Sequence, residues 1–334
     1  MLTAEFLQLS SKVGKNHMLV QGAGGNTSIK QSNKMWIKAS GTWLSKSLKE
    51  NIFVEVNLEK IKKNILLNKD IVIEASNKTN KSLRPSIETS LHALMPHKIV
   101  VHTHPIELLS WLVRKDAKEQ LFKVLKSEKI AWIPYHRPGK DLSQALRKSL
   151  EKKAADIILL GNHGLVVGAN SCLEISIQMK KLLSACKQKH EQFIKPQNDL
   201  SELAKKMNMR LPSYQEIHFL ALNEDAYGRC KDKNGILYPD QAVFLGSKMP
   251  CLDSEKSLNK KIKSSFLIIS GKGVLVSKKA SKDVDIMLRC HAQLLSRIAS
   301  GTELNYLSKL KVKKLLHWEP EKYRLRQREN KKNL

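Results

Sequence analysis

The strongest constraint on the fold is a series of short apolar strands that each end in a turn rich in Gly, Pro or His. Ile99–Val101 leads into His102-Thr103-His104-Pro105, and Asp156–Leu160 leads into Gly161-Asn162-His163-Gly164. Helical patterns follow, and short strands that alternate with helices are typical of α/β proteins. The sequence therefore predicts an α/β fold whose functional side chains gather at the turns after the strands.

The positive charge of the chain does not by itself identify a partner. The 334 residues include 59 Lys and Arg against 31 Asp and Glu, which gives a net charge of +28. Only 11 of the basic residues are arginines, and the lysines run from Lys12 to Lys332. Arginine is the residue that contacts phosphates and guanine bidentately. We therefore interpret the charge as a solvated lysine surface and expect no specific nucleic-acid partner, with polyanion binding as an alternative.

The lengths of the apolar segments and the spacing of the cysteines indicate where in the cell the protein is expected. No apolar run reaches the ~18 residues that a membrane-spanning helix needs, and the first ten residues, which include Glu5, lack the basic-then-apolar layout of a secretory signal. The five cysteines are irregularly spaced, and no CxxC motif occurs. We expect a cytoplasmic protein with reduced thiols and no membrane partner.

Three regions are expected along the chain. Residues 1–195 form a first domain, residues 196–318 form a C-terminal α/β extension, and residues 319–334 form a charged tail. The boundary is placed within Ile194–Asn198, which contains a proline.

Several local expectations follow for the first domain. Leu58–Leu67 is expected as a polar, lysine-rich connection. A helix is expected to start at Arg84-Pro85-Ser86, because Pro suits the first helical turn and Glu88 suits the positive end of the helix dipole. One continuous helix is expected over Ile106–Lys126.

One internal similarity links the first domain to the extension. Ile158–Val167 and Ile268–Val276 are both apolar hairpin patterns that precede a helix, and His163 falls opposite Lys272. A single pair of this kind is weak evidence for a repeat, and chance similarity of two apolar hairpins remains the alternative.

Three histidines and one glutamate are the candidates for chemistry. His102 and His104 lie on one face of a strand, with Cα atoms roughly 6.5 Å apart, so both imidazoles can bind one metal ion. His163 supplies a third imidazole, and three histidines leave an open position on a divalent ion. Glu88 is a candidate general acid/base beside that ion. The structural alternatives are core histidines and a helix-dipole partner for Glu88.

Three loops carry further polar groups. Gly22–Ser28 is suited to surround an anion with backbone N–H groups and the hydroxyls of Thr27 and Ser28, although it matches neither GxGxxG nor a Walker loop. Ser40-Gly41-Thr42 is a second turn of this kind. Tyr135-His136-Arg137-Pro138-Gly139 combines a phenol, an imidazole and a guanidinium. Ordinary structural turns are the alternative for each loop.

The order of these segments resembles the class II aldolase/adducin family. The segments are Gly24-Gly25-Asn26-Thr27-Ser28, Ser40-Gly41-Thr42, Arg84-Pro85-Ser86-Ile87-Glu88-Thr89, His102-Thr103-His104-Pro105 and Asn162-His163-Gly164-Leu165. The resemblance covers about residues 1–195. The sequence of the Arg84–Thr89 segment is most similar to the aldolase half of bifunctional rhamnulose-phosphate aldolase/alcohol dehydrogenases. It implies a three-layer α/β/α fold with a central, mostly antiparallel sheet.

The resemblance also implies roles for individual residues. It implies a Zn²⁺ or similar divalent ion on three histidines, an acid/base carboxylate, a proton-donating tyrosine that often reaches a neighbouring subunit, and a phosphate site. The corresponding residues here are His102, His104 and His163 for the metal, Glu88 and Tyr135 for catalysis, and Asn26, Ser28, Ser40, Gly41 and Ser86 for substrate. The sequence departs from the family pattern at Ile87, where phosphate-binding members commonly carry a second serine.

The resemblance implies a metal-dependent aldolase that cleaves a ketose phosphate, or a related sugar, through an enediolate, in a homotetramer. The same residues would serve an epimerase, a dehydratase or a decarboxylase. A non-catalytic, adducin-like scaffold is the alternative from another class, but scaffold members lack the metal histidines that this chain retains.

Overall fold

The computed structural model describes residues 2–69, 83–126, 129–196, 199–232, 235–254, 264–319 and 321. The described residues form two compact units. The first unit draws on residues 1–112, 116–187 and 317–334, and the second on residues 113–115 and 188–316. The domain limits proposed from the sequence, 195/196 and 318/319, stay predictions. Gln197, Asn198, residue 320 and the tail after Glu321 lie outside the described residues.

A seven-stranded sheet forms the centre of the first unit. Its strands are β1 (Asn26–Gln31), β2 (Lys34–Lys38), β3 (Phe53–Asn57), β4 (Ile99–Thr103), β5 (Ile130–Ile133), β6 (Ile157–Leu160) and β7 (Gly164–Ala169). The order across the sheet is β3-β2-β1-β4-β7-β6-β5. Only the β5–β6 pair is parallel, so the prediction of a mostly antiparallel sheet is confirmed.

Helices cover this sheet in the predicted three-layer α/β/α arrangement. They are α1 (Ala4–Lys15), α2 (Leu58–Leu66), α3 (Thr89–Leu94), α4 (Ile106–Leu112), α5 (Ala117–Val124), α6 (Lys140–Lys152) and α7 (Cys172–Ala185). The helices α3 and α6 pack on one face, where Leu91 and Leu146 meet Val100 of β4 and Val166 of β7. Since side chains alternate along a strand, His102 projects from the same face as Val100.

The prediction of a polar connection at Leu58–Leu67 is wrong, because this segment forms α2. The side chain of Asn57 accepts a hydrogen bond from the amide of Lys60 and caps the helix. Leu58, Ile61 and Ile65 are buried on one side. Their spacing of three and four residues is a helical stripe that the intervening lysines and polar residues obscured.

The predicted start of the next helix is also wrong. Pro85 does not lie in the first helical turn; it forms an isolated bridge with Ala39. The helix α3 begins at Thr89, and Glu88 occupies the position just before it. Glu88 therefore lies beside the central strand β4, with Oε2 3.2 Å from Nε2 of His102.

The single helix expected over Ile106–Lys126 is broken into α4 and α5. The intervening residues Val113–Lys115 belong to the second unit. There the amide of Lys115 bonds to the carbonyl of Glu303, and the amide of Asn305 bonds to the carbonyl of Val113. This pairing with residues distant in sequence interrupts the helix.

The second unit contains a four-stranded sheet in the order β8-β11-β10-β9. Its elements are β8 (Met209–Arg210), β9 (Cys251–Leu252), β10 (Phe266–Ile269) and β11 (Gly273–Ser277), with α8 (Leu200–Lys206), α9 (Phe219–Leu222), α10 (Glu224–Lys231), α11 (Pro239–Leu245), α12 (Lys282–Leu295) and α13 (Lys309–Leu316). No helix in the described parts of either unit has the length and apolar character to cross a membrane.

The two similar sequence segments both form hairpins with three-residue turns. Leu160 pairs with Gly164 between β6 and β7, and Ile269 pairs with Gly273 between β10 and β11. Asn162 and Gly271, each in the middle of its turn, both adopt positive φ. His163 and Lys272 therefore occupy equivalent turn positions, as the similarity of the two segments predicted.

Candidate metal centre

Three buried histidines converge where β4 ends and the β6–β7 hairpin turns. His102 lies on β4, His104 follows that strand, and His163 occupies the turn before β7. One ligand nitrogen from each ring lies within 4.8 Å of the other two. The Nε2 atoms of His102 and His104 are 3.1 Å apart. Neighbouring strands thus bring together side chains that are about sixty residues apart in the sequence.

A hydrogen bond from Nδ1 fixes the orientation of the His102 ring. Nδ1 donates a hydrogen bond to the carbonyl oxygen of Leu165 at 2.9 Å, which leaves Nε2 as the atom with the free lone pair. Burial lowers the pKa of His102 to about 3, although the nearby charge of Glu88 acts in the opposite direction. The ring is therefore neutral at physiological pH, which is the form that binds a metal ion.

Glu88 lies among the histidines. Its Oε2 atom is 3.2 Å from Nε2 of His102, and its Oε1 atom is 3.2 Å from Nε2 of His163. Burial opposes its negative charge, but His102, His163 and His104 outweigh that effect and hold the pKa of this carboxyl well below its ordinary value. The carboxylate is therefore ionised and in direct contact with two of the candidate ligands.

The donor set fits a divalent metal ion. Three imidazole nitrogens within a few ångströms of one another, next to a carboxylate, are ligands that Zn²⁺ and similar ions prefer. All three rings are buried, so an ion bound there would be largely shielded from solvent. The structure thus brings together all four residues that the sequence singled out for metal chemistry.

Two of the residues predicted to bind the substrate phosphate form hydrogen bonds with Glu88. Asn26 pairs with His102 across β1 and β4, and its Nδ2 donates to Oε2 of Glu88 at 2.7 Å. The hydroxyl of Ser86 donates to Oδ1 of Asn26 at 2.5 Å and accepts the amide of Glu88 at 3.2 Å. Asn26 and Ser86 therefore hold the carboxylate in place.

The remaining predicted substrate residues divide into two groups. Ser40 and Gly41 form a turn beside the Ser86 segment, since the amide of Ser40 bonds to the carbonyl of Arg84, and Gly41 has a φ of 76°. Ser28 is fully buried, and its hydroxyl contacts Nδ1 of His92 at 2.8 Å. The structure thus brings Ser40 and Gly41 to the Ser86 segment, whereas Ser28 lies in the interior beneath α3.

Tyr135 lies on the loop that follows β5. Its backbone nitrogen lies 3.4 Å from the position that a Cβ atom at Gly161 would occupy, so this loop borders the turn that carries His163. Burial raises the pKa of Tyr135 to about 12, and the charges of Arg137, Glu321 and Asp141 modify that shift. The phenol is therefore protonated at neutral pH.

The C-terminal part of the first unit contacts the same loop. Trp318 lies under the guanidinium of Arg137, with 5.3 Å from Cζ to the ring centroid. Glu321 is buried. The sequence analysis did not predict this contact, because it assigned Trp318 to the C-terminal extension and residues 319–334 to a charged tail.

Lys38 is a second feature that sequence reasoning missed. This lysine is buried, and its Nζ donates hydrogen bonds to the carbonyl oxygens of Ala23 and Thr42. In a chain with so many lysines, no pattern distinguishes Lys38. The only signal is that Lys38 shares a face of β2 with Trp36, opposite the buried Met35 and Ile37.

The fold and this site define an α/β protein with a buried candidate centre for a divalent metal. Residues 4–190 match the family model described as Class II Aldolase and Adducin N-terminal domain. The match covers more than half of the chain, and the chain therefore belongs to the class II aldolase and adducin family.

The chain is also similar to individual proteins. The chain is 32% identical over 178 residues to a Bacillus subtilis protein named uncharacterized oxidoreductase YuxG; the match covers 48% of this chain but only 26% of YuxG. It is 26% identical over 189 residues to an L-fuculose phosphate aldolase of Methanocaldococcus jannaschii, covering 53% of this chain and 90% of that enzyme. A solved N-terminal class II aldolase domain from Thermoplasma acidophilum is 26% identical, covers 55% of this chain and 90% of that domain, and has a TM-score of 0.46.

Proposed function

We propose that this protein is a divalent-metal-dependent aldolase that cleaves a ketose phosphate into dihydroxyacetone phosphate and an aldehyde. The observation that carries the proposal is the contact of the Glu88 carboxylate with His102 and His163 within a three-histidine cluster. An acid/base group and a set of metal ligands in one buried site are the two components that enediolate chemistry needs.

His102, His104 and His163 would hold the metal ion, with Zn²⁺ as the first candidate. A divalent ion bound there would polarise the ketose carbonyl and stabilise the negative charge of the enediolate. His102 contributes by being neutral, because burial lowers its pKa to about 3, and by being oriented through its hydrogen bond to the carbonyl of Leu165.

Glu88 and Tyr135 would handle the protons. In the condensation direction, Glu88 accepts a carbon-bound proton of dihydroxyacetone phosphate, for which its ionised state is suited. Tyr135 donates a proton to the oxygen of the aldehyde, for which its raised pKa keeps it protonated. Cleavage follows the same path in reverse, so each group then acts in the opposite sense.

Asn26, Ser40, Gly41 and Ser86 would bind the substrate phosphate. Asn26 and Ser86 are nearly buried and hydrogen-bonded to each other, so their orientations are fixed before substrate arrives. Ile87 offers no hydroxyl at the adjacent position. Because the amide of Ser40 already bonds to the carbonyl of Arg84, the hydroxyl of Ser40 and the amide of Gly41 would supply the remaining donors. We further propose that the protein is cytoplasmic and forms a homotetramer; light scattering on the purified protein tests the oligomeric state.

The proposal can be tested with metal analysis and a panel of ketose phosphates. Wild-type protein should contain about one divalent ion per chain and release an aldehyde from a ketose phosphate. The variant E88Q should keep the ion and lose about 10²-fold or more in kcat. Glu119, an exposed residue paired with Lys123, provides the matched control E119Q, which should retain full activity.

Each alternative gives a different result in this experiment. Epimerase, dehydratase or decarboxylase activity would convert the sugar phosphate without releasing an aldehyde. A protein without stoichiometric metal, or an E88Q variant with wild-type activity, would contradict the proposal. Steeply salt-dependent DNA binding by a metal-free protein would favour the polyanion alternative.

A further inference from the structure

Trp318 belongs to the segment with which the chain returns to the first unit. The chain leaves the second unit after Leu316, and the described residues 317–319 and 321 belong to the first unit. This segment lies outside residues 4–190, the part of the chain that matches the family model. Any function of Trp318 is therefore an addition to the domain that the family shares.

Trp318 packs against the loop between β5 and α6, which carries Tyr135. The guanidinium of Arg137 lies over the indole ring at 5.3 Å, within the range of a cation–π contact. A Cβ atom added to Gly139 would lie 3.0 Å from the same ring, and Gly139 has a φ of 90°. The ring therefore occupies the space that a side chain at position 139 would need, and it contacts two residues of the loop.

The composition of this loop explains why a packing contact matters for its conformation. Pro134 and Pro138 have no amide hydrogen, which reduces the number of backbone hydrogen bonds that the loop can form. The carbonyls of Arg137 and Gly139 accept amides from the first turn of α6. These bonds fix the end of the loop at the helix, and the contact with Trp318 fixes the same residues from the opposite direction along the chain.

Both ends of the loop border the candidate metal centre. At one end, the backbone nitrogen of Tyr135 lies 3.4 Å from the position of a Cβ atom at Gly161, in the turn that carries a candidate ligand. At the other end, a Cβ atom at Gly139 would lie 3.9 Å from the carbonyl oxygen of Ile87, the residue before Glu88. A shift of the loop would therefore move Tyr135 relative to this centre.

The segment that carries Trp318 also acts on Tyr135 through its charge. The amide of Glu321 bonds to the carbonyl of Trp318, and the Glu321 side chain is buried. Burial raises the pKa of Tyr135 to about 12, Arg137 acts in the opposite direction, and the charge of Glu321 raises the pKa further. The segment therefore lies close enough to the phenol to influence it electrostatically, in addition to contacting its loop.

We propose that Trp318 is a positioning residue that holds the loop of residues 134–139 in the conformation that places Tyr135 beside the candidate metal centre. The proposal rests on the proposed function and deepens it, because Tyr135 is the proton donor there. Trp318 acts through the loop and does not touch the substrate. It follows that loss of the indole ring slows the chemical step, whereas binding of metal and substrate is retained.

The test compares W318A, W318L and W318F with the control Y214A. The first two variants remove the ring, and W318F keeps an aromatic face for Arg137. Tyr214 in the second unit lies under the guanidinium of Arg289 at 4.5 Å, so Y214A removes a contact of the same kind elsewhere in the chain. Steady-state kinetics with a ketose phosphate gives kcat and KM, metal analysis gives the zinc content, and hydrogen exchange of the zinc-loaded protein measures the opening of residues 135–140.

W318A and W318L should lower kcat by about tenfold or more, since a misplaced catalytic group can cost about 10²-fold. Their KM and zinc content should stay within about twofold of wild type. Exchange of residues 135–140 should become about tenfold faster, because the loop opens more often once the ring is lost. W318F and Y214A should stay within about threefold of wild type in every measurement.

The double variant Y135F/W318A tests whether Trp318 acts through Tyr135. Its kcat should equal that of Y135F alone, because the position of the loop no longer affects proton donation once the phenol is absent. Losses that multiply in the double variant would overturn the proposal, since Trp318 would then act on another group. A fall in zinc content in W318A that matches its loss of kcat would also overturn it, because that result indicates a general structural role.

Wild-type kcat in a folded W318A or W318L variant would overturn the proposal as well. Should neither variant fold, hydrogen exchange of the wild type provides the decision: residues 135–140 and 317–319 should open together, and a loop that exchanges faster than the Trp318 segment would overturn the proposal. A wild-type protein that cleaves no ketose phosphate would refute the proposed function. Faster loop exchange in W318A would then still support the hold of Trp318 on the loop, and unchanged exchange would refute it.

Discussion

Gly164 is a position where the structure leaves no room for a side chain beside the candidate metal ligands. It is the first residue of β7, and a Cβ atom added there would lie 2.5 Å from the carbonyl oxygen of Thr103 and 2.9 Å from Cδ2 of His104. The first of these neighbours is strand backbone, which cannot rotate away. The substitution G164A must therefore push β4 and β7 apart at the end that carries His104.

The size of the effect follows from the contact. Forcing one methyl group into a packed interior costs about 1–3 kcal/mol, which should appear as a lower free energy of unfolding for the metal-free protein. Displacing His104 should also weaken metal binding, by about 10- to 100-fold if it resembles the loss of an orienting contact around a metal site. Urea unfolding measures the first quantity, and competition for Zn²⁺ with a chromophoric chelator measures the second.

Gly168 on the same strand provides the matched control. A Cβ atom there would lie 2.2 Å from Nδ1 of His97, a side chain that bonds to Asp156 and is not part of the histidine cluster. The variant G168A should lose stability but keep its zinc affinity within about twofold. A folded G164A with wild-type zinc affinity would refute this reasoning, as would a G168A variant that loses as much affinity as G164A.

Three further predictions concern stability. For protein that holds metal at one hundred times its Kd, chelation should lower the free energy of unfolding by about 2.7 kcal/mol. Calorimetry with and without EDTA measures this difference. The variant H163A should show no such difference. Burial lowers the pKa of His291 to about 3, so the unfolded chain binds a proton below about pH 6.5 while the folded chain does not. Stability should therefore be complete above that pH and fall by up to about 1.4 kcal/mol per pH unit below it, and a pH series of urea unfolding curves for H291Q should be flatter than for wild type. Gly228 lies within α10, and apart from its chain neighbours and its own helix backbone no atom of the described residues lies within 4 Å of an added Cβ. The variant G228A should therefore stabilise the protein by about 0.5–1 kcal/mol, whereas a lower Tm for this variant would contradict that expectation.

Strands such as β4 and β6 could be predicted because they are apolar runs with clear boundaries, whereas the polar strand β1 was missed, because Asn26–Ser28 was assigned to a glycine-rich loop. Ile99–Thr103 is buried along its whole length, and a run of this kind between polar turns admits few other interpretations. The helix α2 was missed because polar residues separate its three buried side chains. The break between α4 and α5 could not be predicted locally, since it depends on the pairing of Val113–Lys115 with residues near Glu303.

The candidate site was predictable to the extent that it follows strand geometry. His102 and His104 were placed on one face by the two-residue period of a strand. The position of His163 opposite them depends on β7 pairing with β4. The resemblance assigned His163 to the metal, but neither it nor the local pattern gave this pairing. Neither signal could show that Lys38 turns inward to join two loops, because this depends on where those loops lie in three dimensions.

The register of the central sheet specifies the site. Asn26, His102 and Val166 are direct neighbours across β1, β4 and β7, and Val100 lies two residues from His102 on the same face of β4. Because side chains alternate, a slip of one residue in β4 would turn Val100 out of the core and His102 away from Glu88 together. The burial of Val100 and Val166 under α3 and α6 therefore stabilises the one register that also assembles the metal ligands. It follows that substitutions which shorten these valines should weaken zinc binding even though neither side chain carries a ligand atom.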